Sequence, residues 1–177
     1  MKIYDIIEKK IIHLIVNRGG IMIKILFVCY GNICRSPMAE YIFKDMIKRE
    51  GIEQQFYIDS VATSNEEIGN PVHYGTKNKL KEMNIECGSH LARRITKQDY
   101  DKFDYIIGME DRNVEDIKKI VGKDTENKIC KLLDFSDNPR NIADPWYTGN
   151  FDITYDDIVE GLNEFLKYIK TNKWEEI

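Results

Sequence analysis

Five residues separate a cysteine from an arginine in segment 28–37, which reads VCYGNICRSP. Those five residues can curl around one tetrahedral anion, so that successive backbone N–H groups point inward. The planar guanidinium of Arg35 can then close the ring, because its fork matches two oxygens of a phosphate group. We expect Cys29 to lie at the floor of that ring. The spacing therefore predicts a phosphate loop (residues 29–35) with a nucleophile at its base.

The residues around this loop favour a reactive sulfur. The Ser-Pro pair at 36–37 begins a predicted helix, since proline suits the first helical position, and the positive end of that helix would face the anion. This field and the neighbouring guanidinium favour the thiolate form of Cys29, which is the form that attacks phosphorus. The hydroxyl of Ser36 can donate to the sulfur and improve it as a leaving group. Gly31 and Asn32 tolerate the positive φ that inward-facing amides demand.

A proton donor is also needed, because the oxygen of a phosphate ester leaves slowly as an anion. The segment at 144–149 reads DPWYTG and supplies a candidate, here called the acid loop. Proline disfavours the helical conformation for the residue before it, which would hold Asp144 extended. Trp146 and Tyr147 could stack on an arriving phenyl ring. Asp144 would protonate the leaving oxygen and later accept a proton from the attacking water.

Length, charge and hydropathy exclude several classes of protein. The 177 residues suggest one domain that needs no disulfide or metal to support its core. The 30 acidic and 26 basic residues are well mixed and leave a net charge of −4, so we expect no nucleic-acid or membrane partner. No apolar run approaches the ~20 residues of a membrane span. The four cysteines form neither a paired zinc pattern nor a disulfide framework, so we expect a protein of the reducing cytoplasm without metal or cofactor.

Apolar periodicity predicts alternating strands and helices. Strands are predicted at 21–28, 55–62, 105–109 and 129–133, and helices at 36–50, 76–83, 111–121 and 155–170. Strands separated by helices imply right-handed crossovers. We therefore predict a single α/β domain with a four-stranded parallel sheet flanked by helices. The phosphate loop would follow the first strand at its carboxyl end, where open α/β sheets bind ligands.

Residues 1–20 stand outside this pattern. Their larger apolar residues fall at helical spacing and would form an amphipathic face: Ile3, Ile6, Ile7, Ile11, Leu14 and Ile15. One interpretation is an added helix that covers the domain or mediates self-association. The other is a start assigned upstream of the true one, since Met22 directly precedes the first strand. The domain itself is predicted to span 21–177 and to be a monomer or a weak homo-oligomer.

The pattern CxGNxCRSP at 29–37 resembles the signature of the low-molecular-weight protein tyrosine phosphatases, and the acid loop resembles their general-acid loop. The resemblance extends from about Ile23 to Lys170. It implies hydrolysis of phosphotyrosine in proteins, or of small aryl phosphates, through a cysteinyl phosphate. The implied catalytic residues are Cys29, Arg35 and Asp144, and the implied phosphate-binding residues are Tyr30, Gly31, Asn32, Ile33, Cys34, Arg35 and Ser36.

Two further segments, DSVATS and SHLAR, resemble parts of the same family. By this resemblance Ser60 in the first segment and His90 in the second brace the loop, with Ser36, by holding Asn32. Cys34 resembles the second cysteine that in this family can form a reversible disulfide with the nucleophile. The sequence suggests no partner for His73, which we expect at the surface.

Three other functions remain open from the sequence. An arsenate reductase on the same scaffold would need a downstream pair of cysteines, but Cys87 is solitary and Cys130 lies in a predicted strand. A phosphopeptide-binding or redox-sensing module without catalysis is disfavoured, because nucleophile, arginine, serine and acid are all present. Phosphoarginine phosphatases tend to have threonine at the position of Ile33 and often lack the second aromatic residue of the acid loop. Ile33 and the pair at 146–147 therefore favour an aromatic substrate.

Overall fold

In the computed structural model, which describes residues 22–173, four parallel strands form one sheet in the order β2-β1-β3-β4. The strands are Ile23–Cys29 (β1), Phe56–Ala62 (β2), Tyr105–Gly108 (β3) and Ile129–Lys131 (β4). The helices are Arg35–Arg49 (α1), Tyr74–Glu82 (α2), Lys97–Lys102 (α3), Asp111–Val121 (α4), Pro145–Thr148 (α5) and Phe151–Lys173 (α6). Short 3₁₀ turns occupy Glu53–Gln55 and Leu132–Phe135. The predicted fold class is confirmed.

The sheet is buried on both faces around its inner strand β1. Ile25 and Phe27 pack with residues of α1 and α6 in one core cluster. Leu26 and Val28, which point to the opposite face, pack with residues of α3 and α4 in a second cluster. This two-sided burial explains why β1 is almost continuously apolar rather than alternating.

The register brings three loops to the same edge of the sheet. Cys29 at the end of β1 lies opposite Ala62 at the end of β2, and Val28 lies opposite Gly108 at the end of β3. Because the strands are parallel, the segments that follow these ends must meet. The phosphate loop is therefore flanked by the segment after β2 and by the turn into α4.

Several element boundaries differ from the predicted ones, and two of them differ because side chains bind backbone amides there. Helix α6 begins at Phe151, four residues earlier than predicted, since the Oδ1 of Asn150 accepts a hydrogen bond from Ile153 N at 3.0 Å. Strand β4 ends at Lys131, whose N–H donates to the Asp134 carboxylate at 2.9 Å and so starts the 3₁₀ turn.

Two short helices were absent from the sequence-based assignment. Helix α3 is fixed by a capping box between Thr96 and Asp99, and α5 is a single turn within the acid loop.

The interpretations of the segment 1–20 lie outside the described residues. Between residues 22 and 173 no helix is both long and apolar enough to cross a membrane.

Candidate active site

The phosphate loop wraps around the buried sulfur of Cys29, which is 3% exposed. The N–H of Asn32 donates to Cys29 Sγ at 3.2 Å, and the Oγ of Ser36 lies 3.1 Å from the same sulfur. Asn32 reaches this position in the left-handed conformation, with φ of 57°. The sulfur therefore has two polar contacts at hydrogen-bond distance within the loop.

Helix α1 begins directly after the phosphate loop, at Arg35. Cys34 occupies the N-cap position, and its side chain makes no capping hydrogen bond. The first amides of a helix lack intrahelical partners and carry partial positive charge. An anion bound by the loop would satisfy them.

Arg35 is the largest fully buried side chain of the site, with 1% of its surface exposed. Its Nη1 donates to Glu110 Oε1 at 2.9 Å and to the Ile142 carbonyl at 3.1 Å, while its Nη2 donates to Asp144 Oδ2 at 2.6 Å. Burial lowers the pKa of Arg35, but the negative charges of Cys29, Asp144 and Glu110 outweigh burial and raise it above its ordinary value. The Nε is buried and has no hydrogen-bond partner among residues 22–173. A phosphate oxygen would supply one.

Asp144 caps the short helix α5 and faces the phosphate loop. Its backbone is extended, with φ of −80° and ψ of 115°, which agrees with the restriction imposed by Pro145. One carboxylate oxygen accepts from Trp146 N at 3.0 Å and the other binds Arg35. The sequence separates Asp144 widely from Cys29, and the fold brings both to one cleft.

Asn32 is the centre of a buried hydrogen-bond network. Its Nδ2 donates to Ser60 Oγ and to Ser36 Oγ, both at 2.9 Å, and its Oδ1 accepts from Arg93 N at 3.2 Å. A ring nitrogen of His90 lies 3.0 Å from the Asn32 carbonyl oxygen. The structure thus places both bracing residues suggested by the sequence against the loop.

The cleft that contains Cys29 is lined by residues of three segments. These are Tyr30 of the phosphate loop, Glu66 and Glu67 after β2, and Asp144 with the two aromatic residues of the acid loop. Trp146 and Tyr147 are 55% and 81% exposed. The remaining lining residues are Gly31, Ile33 and Cys34. Tyr30 donates to Glu66 Oε1 at 2.7 Å, and this bond raises the pKa of Tyr30.

Two buried or half-buried carboxylates of the site were missed from the sequence. Ser60 donates to Glu40 Oε2 at 2.6 Å, and Glu40 also pairs with Lys44. Glu40 lies four residues after Ser36 on α1, so helical spacing alone could have placed it on the loop side. Glu110 follows β3 at the edge where the predicted loops meet, which was a usable signal for a partner of Arg35.

The expectation for His73 was wrong, because this residue has partners on several sides. Its backbone N–H donates to the carbonyl of Ile33 at 2.8 Å, and its ring contacts the rings of Tyr74, Trp146 and Phe151. Apart from the neighbouring Tyr74, these partners lie in segments that are distant along the chain, so no local pattern could indicate them.

All four cysteines are free thiols. Cys34 is buried, and burial together with the charge of Cys29 raises the pKa of Cys34 to about 12. Burial also raises the pKa of Cys130 to about 12. Cys34 is therefore protonated at neutral pH.

Replacement of Asn32 by alanine should lower both stability and activity. The variant loses three side-chain hydrogen bonds. Alanine also lacks the polar side chain that lets asparagine adopt the left-handed conformation, so we expect a loss of about 3 kcal/mol in the free energy of unfolding. Asn84→Ala is the matched control: Asn84 is exposed and has φ of 58°, so its loss should be about 1 kcal/mol. Denaturant unfolding measures both, and equal losses would contradict a bracing role.

A family model described as low molecular weight phosphotyrosine protein phosphatase matches residues 24–175. The chain is 40% identical over 154 residues to the low molecular weight protein-tyrosine-phosphatase YfkJ of Bacillus subtilis, covering 86% of this chain and 99% of that protein. It is 39% identical over 151 residues to the human low molecular weight phosphotyrosine protein phosphatase, covering 81% of this chain and 93% of the human protein.

Solved structures give the same result. The crystal structure of YfkJ from Bacillus subtilis matches with a TM-score of 0.84 and 41% identity, covering 88% of this chain and 99% of that chain. The crystal structure of DARP, a Drosophila arginine phosphatase, matches with a TM-score of 0.78 and 30% identity, covering 85% and 99% of the two chains. With the loop around Cys29 and the sheet that carries it, these matches show that the chain belongs to the low-molecular-weight protein tyrosine phosphatase family.

Proposed function

We propose that this protein hydrolyses phosphotyrosine and small aryl phosphates, with Cys29 as nucleophile, Arg35 as phosphate ligand and Asp144 as general acid and base. The proposal rests mainly on the environment of one sulfur. Cys29 Sγ receives two polar contacts inside a loop closed by a buried arginine, and the same cleft contains Asp144. We further propose that the protein is cytoplasmic, because the mechanism requires a reduced Cys29. We also propose that it is a monomer or a weak homo-oligomer.

In the first step the substrate phosphate binds the amides of the phosphate loop and the fork of Arg35. The phosphate takes over the donor that Asp144 holds at 2.6 Å in the free protein, while Glu110 keeps Arg35 oriented. The thiolate of Cys29 then attacks phosphorus, an S–P bond forms and the P–O bond to the phenol breaks. Asp144, which takes up a proton from solvent once the phosphate has displaced it from Arg35, gives that proton to the departing oxygen, so that a neutral phenol leaves.

In the second step water hydrolyses the cysteinyl phosphate. The carboxylate of Asp144 accepts a proton as the water oxygen bonds to phosphorus, and the S–P bond breaks. Ser36 Oγ, 3.1 Å from the sulfur, stabilises the thiolate that leaves. Inorganic phosphate is released and Cys29 returns to its starting state.

The cleft fits an aromatic ester. Trp146 and Tyr147 line it, and Ile33 adds an apolar side chain to the lining. A phosphoarginine substrate is the second candidate, because the carboxylates of Glu66 and Glu67 in the same lining could pair with a guanidinium.

The test is a substrate panel with purified protein. We expect hydrolysis of p-nitrophenyl phosphate and phosphotyrosine, little turnover of phosphoserine, phosphoarginine or arsenate, and competitive inhibition by phosphate and vanadate. Preferential cleavage of phosphoarginine would favour the second candidate instead.

The Cys29→Ser variant is assayed with the same substrates. A serine hydroxyl is not ionised in this loop, so turnover should disappear while phosphate still raises the melting temperature. Cys87→Ser should keep wild-type turnover. Hydrolysis by pure Cys29→Ser would contradict the covalent mechanism.

Asp144→Asn should lower kcat/KM by roughly 10²–10⁴-fold for esters of weakly acidic phenols, because proton transfer to the leaving oxygen is lost. Asparagine still caps α5, so the fold should persist. The loss should shrink as the phenol becomes more acidic, and a series of substituted phenyl phosphates measures this trend.

The matched control is Asp134→Asn, which changes a carboxylate that caps the turn after β4 and lies outside the cleft. It should keep the wild-type dependence on the leaving group. If Asp144→Asn loses the same factor for every phenol, Asp144 is a structural residue.

Cys34 should protect Cys29 from irreversible oxidation. Peroxide converts the thiolate of Cys29 to a sulfenic acid, and the thiol of Cys34 can condense with it to form a disulfide and water. We expect thiol reductants to restore wild-type activity after mild peroxide, and Cys34→Ser to recover poorly. Cys87→Ser and Cys130→Ser are the controls. Full recovery of Cys34→Ser would exclude this role.

A further inference from the structure

The amino end of α2 holds the phosphate loop by its backbone and by a side chain. The N–H of His73 donates to the carbonyl of Ile33 at 2.8 Å, and the hydroxyl of the fully buried Thr76 donates to the carbonyl of Cys34 at 3.3 Å. Both acceptors belong to the phosphate loop. The position of His73 relative to Cys29 is therefore fixed.

The imidazole of His73 packs against Trp146 of the acid loop and against Phe151, which lies just after that loop. Its ring is stacked on Phe151, the first residue of α6, with 5.5 Å between centroids and 3° between planes. It meets Trp146 edge to face at 5.6 Å and 70°. Phe151 in turn lies directly over Gly75, where an added Cβ would come within 2.4 Å of the Phe151 ring. Trp146 of the acid loop and Phe151 at the start of α6 thus contact the amino end of α2 through the His73 ring.

The orientation of the imidazole is set by a hydrogen bond. Its Nδ1 accepts from Gly75 N at 3.1 Å and so caps α2. Trp146 is 55% exposed, and His73 is the aromatic ring that it contacts within residues 22–173. Trp146 N also donates to Asp144 at 3.0 Å, so a shift of Trp146 would move the carboxylate.

We propose that His73 is a positioning residue for the general acid: its imidazole links the phosphate loop to Trp146 and thereby sets the distance between Asp144 and Cys29. This inference rests on the proposed function. The residue must accept a hydrogen bond through Nδ1 and present an aromatic ring. Asparagine can replace only the first property, and phenylalanine only the second.

A role limited to capping α2 gives the opposite outcome for the two variants. If only the cap matters, His73→Asn is normal and His73→Phe is impaired. If the ring positions the acid, His73→Asn is impaired in proton transfer, while His73→Phe keeps it and loses thermal stability. Small displacements of a catalytic group cost much, since about 1 Å can reduce the rate by about 10²-fold.

The experiment measures kcat/KM of both variants across substituted phenyl phosphates, with the inhibition constant of phosphate. For His73→Asn we expect near-normal kcat/KM with p-nitrophenyl phosphate, a loss of about 10-fold with phenyl phosphate, and unchanged phosphate inhibition. The control is Tyr100→Phe, which removes hydrogen bonds to Asp124 and Glu126. It should lower stability without changing the dependence on the leaving group.

A second readout does not need activity. With Trp174 replaced by phenylalanine, Trp146 is the only tryptophan in the sequence, and its fluorescence anisotropy reports how firmly it is held. We expect His73→Asn to lower this anisotropy and His73→Phe to preserve it. Unchanged anisotropy in His73→Asn, or an equal loss of kcat/KM for every phenol, would overturn the inference. If the wild type cleaves no aryl phosphate the proposed function fails, and anisotropy alone decides whether His73 holds Trp146.

Discussion

The proposed mechanism depends on a sulfur that carries a negative charge where water hardly reaches. Burial of an unpaired ion costs several kcal/mol, so the surroundings of Cys29 must supply compensating charge and hydrogen bonds. The N–H of Asn32, the hydroxyl of Ser36 and the amino end of α1 provide them within the same short segment. The distant parts of the fold serve to keep that segment in one conformation.

Around the Cys29 sulfur, each buried charged group is paired with a group of opposite charge. Arg35 faces Cys29 and is itself paired with Asp144 and Glu110. On the other side of Asn32, the hydroxyl of Ser60 donates to the buried Glu40. Such networks are stable only when every member has its hydrogen-bond partners. Loss of the Asn32 side-chain amide would therefore affect both stability and geometry.

Local chemistry could be predicted from the sequence, and contacts between distant segments could not. The nucleophile and arginine lie in one loop, and the conformation of Asp144 follows from the proline beside it, so each was visible in a few residues. The pairing of Arg35 with Glu110 depends on the order of strands, which periodicity does not specify. The start of α6 was misplaced because polar Asn150 caps a helix whose first turn is not regularly apolar.

Gly75 shows how a contact can limit engineering. It lies inside α2 without a positive φ, so its backbone would accept alanine, and that change normally stabilises a helix by about 1 kcal/mol. The ring of Phe151 occupies the space that the new methyl group would need. A stabilisation programme that replaces helical glycines would therefore select a position where α2 gains stability but Phe151 and the acid loop before it are displaced. Gly75 therefore makes α2 less stable than alanine would, and in exchange it leaves space for the Phe151 ring beside the acid loop.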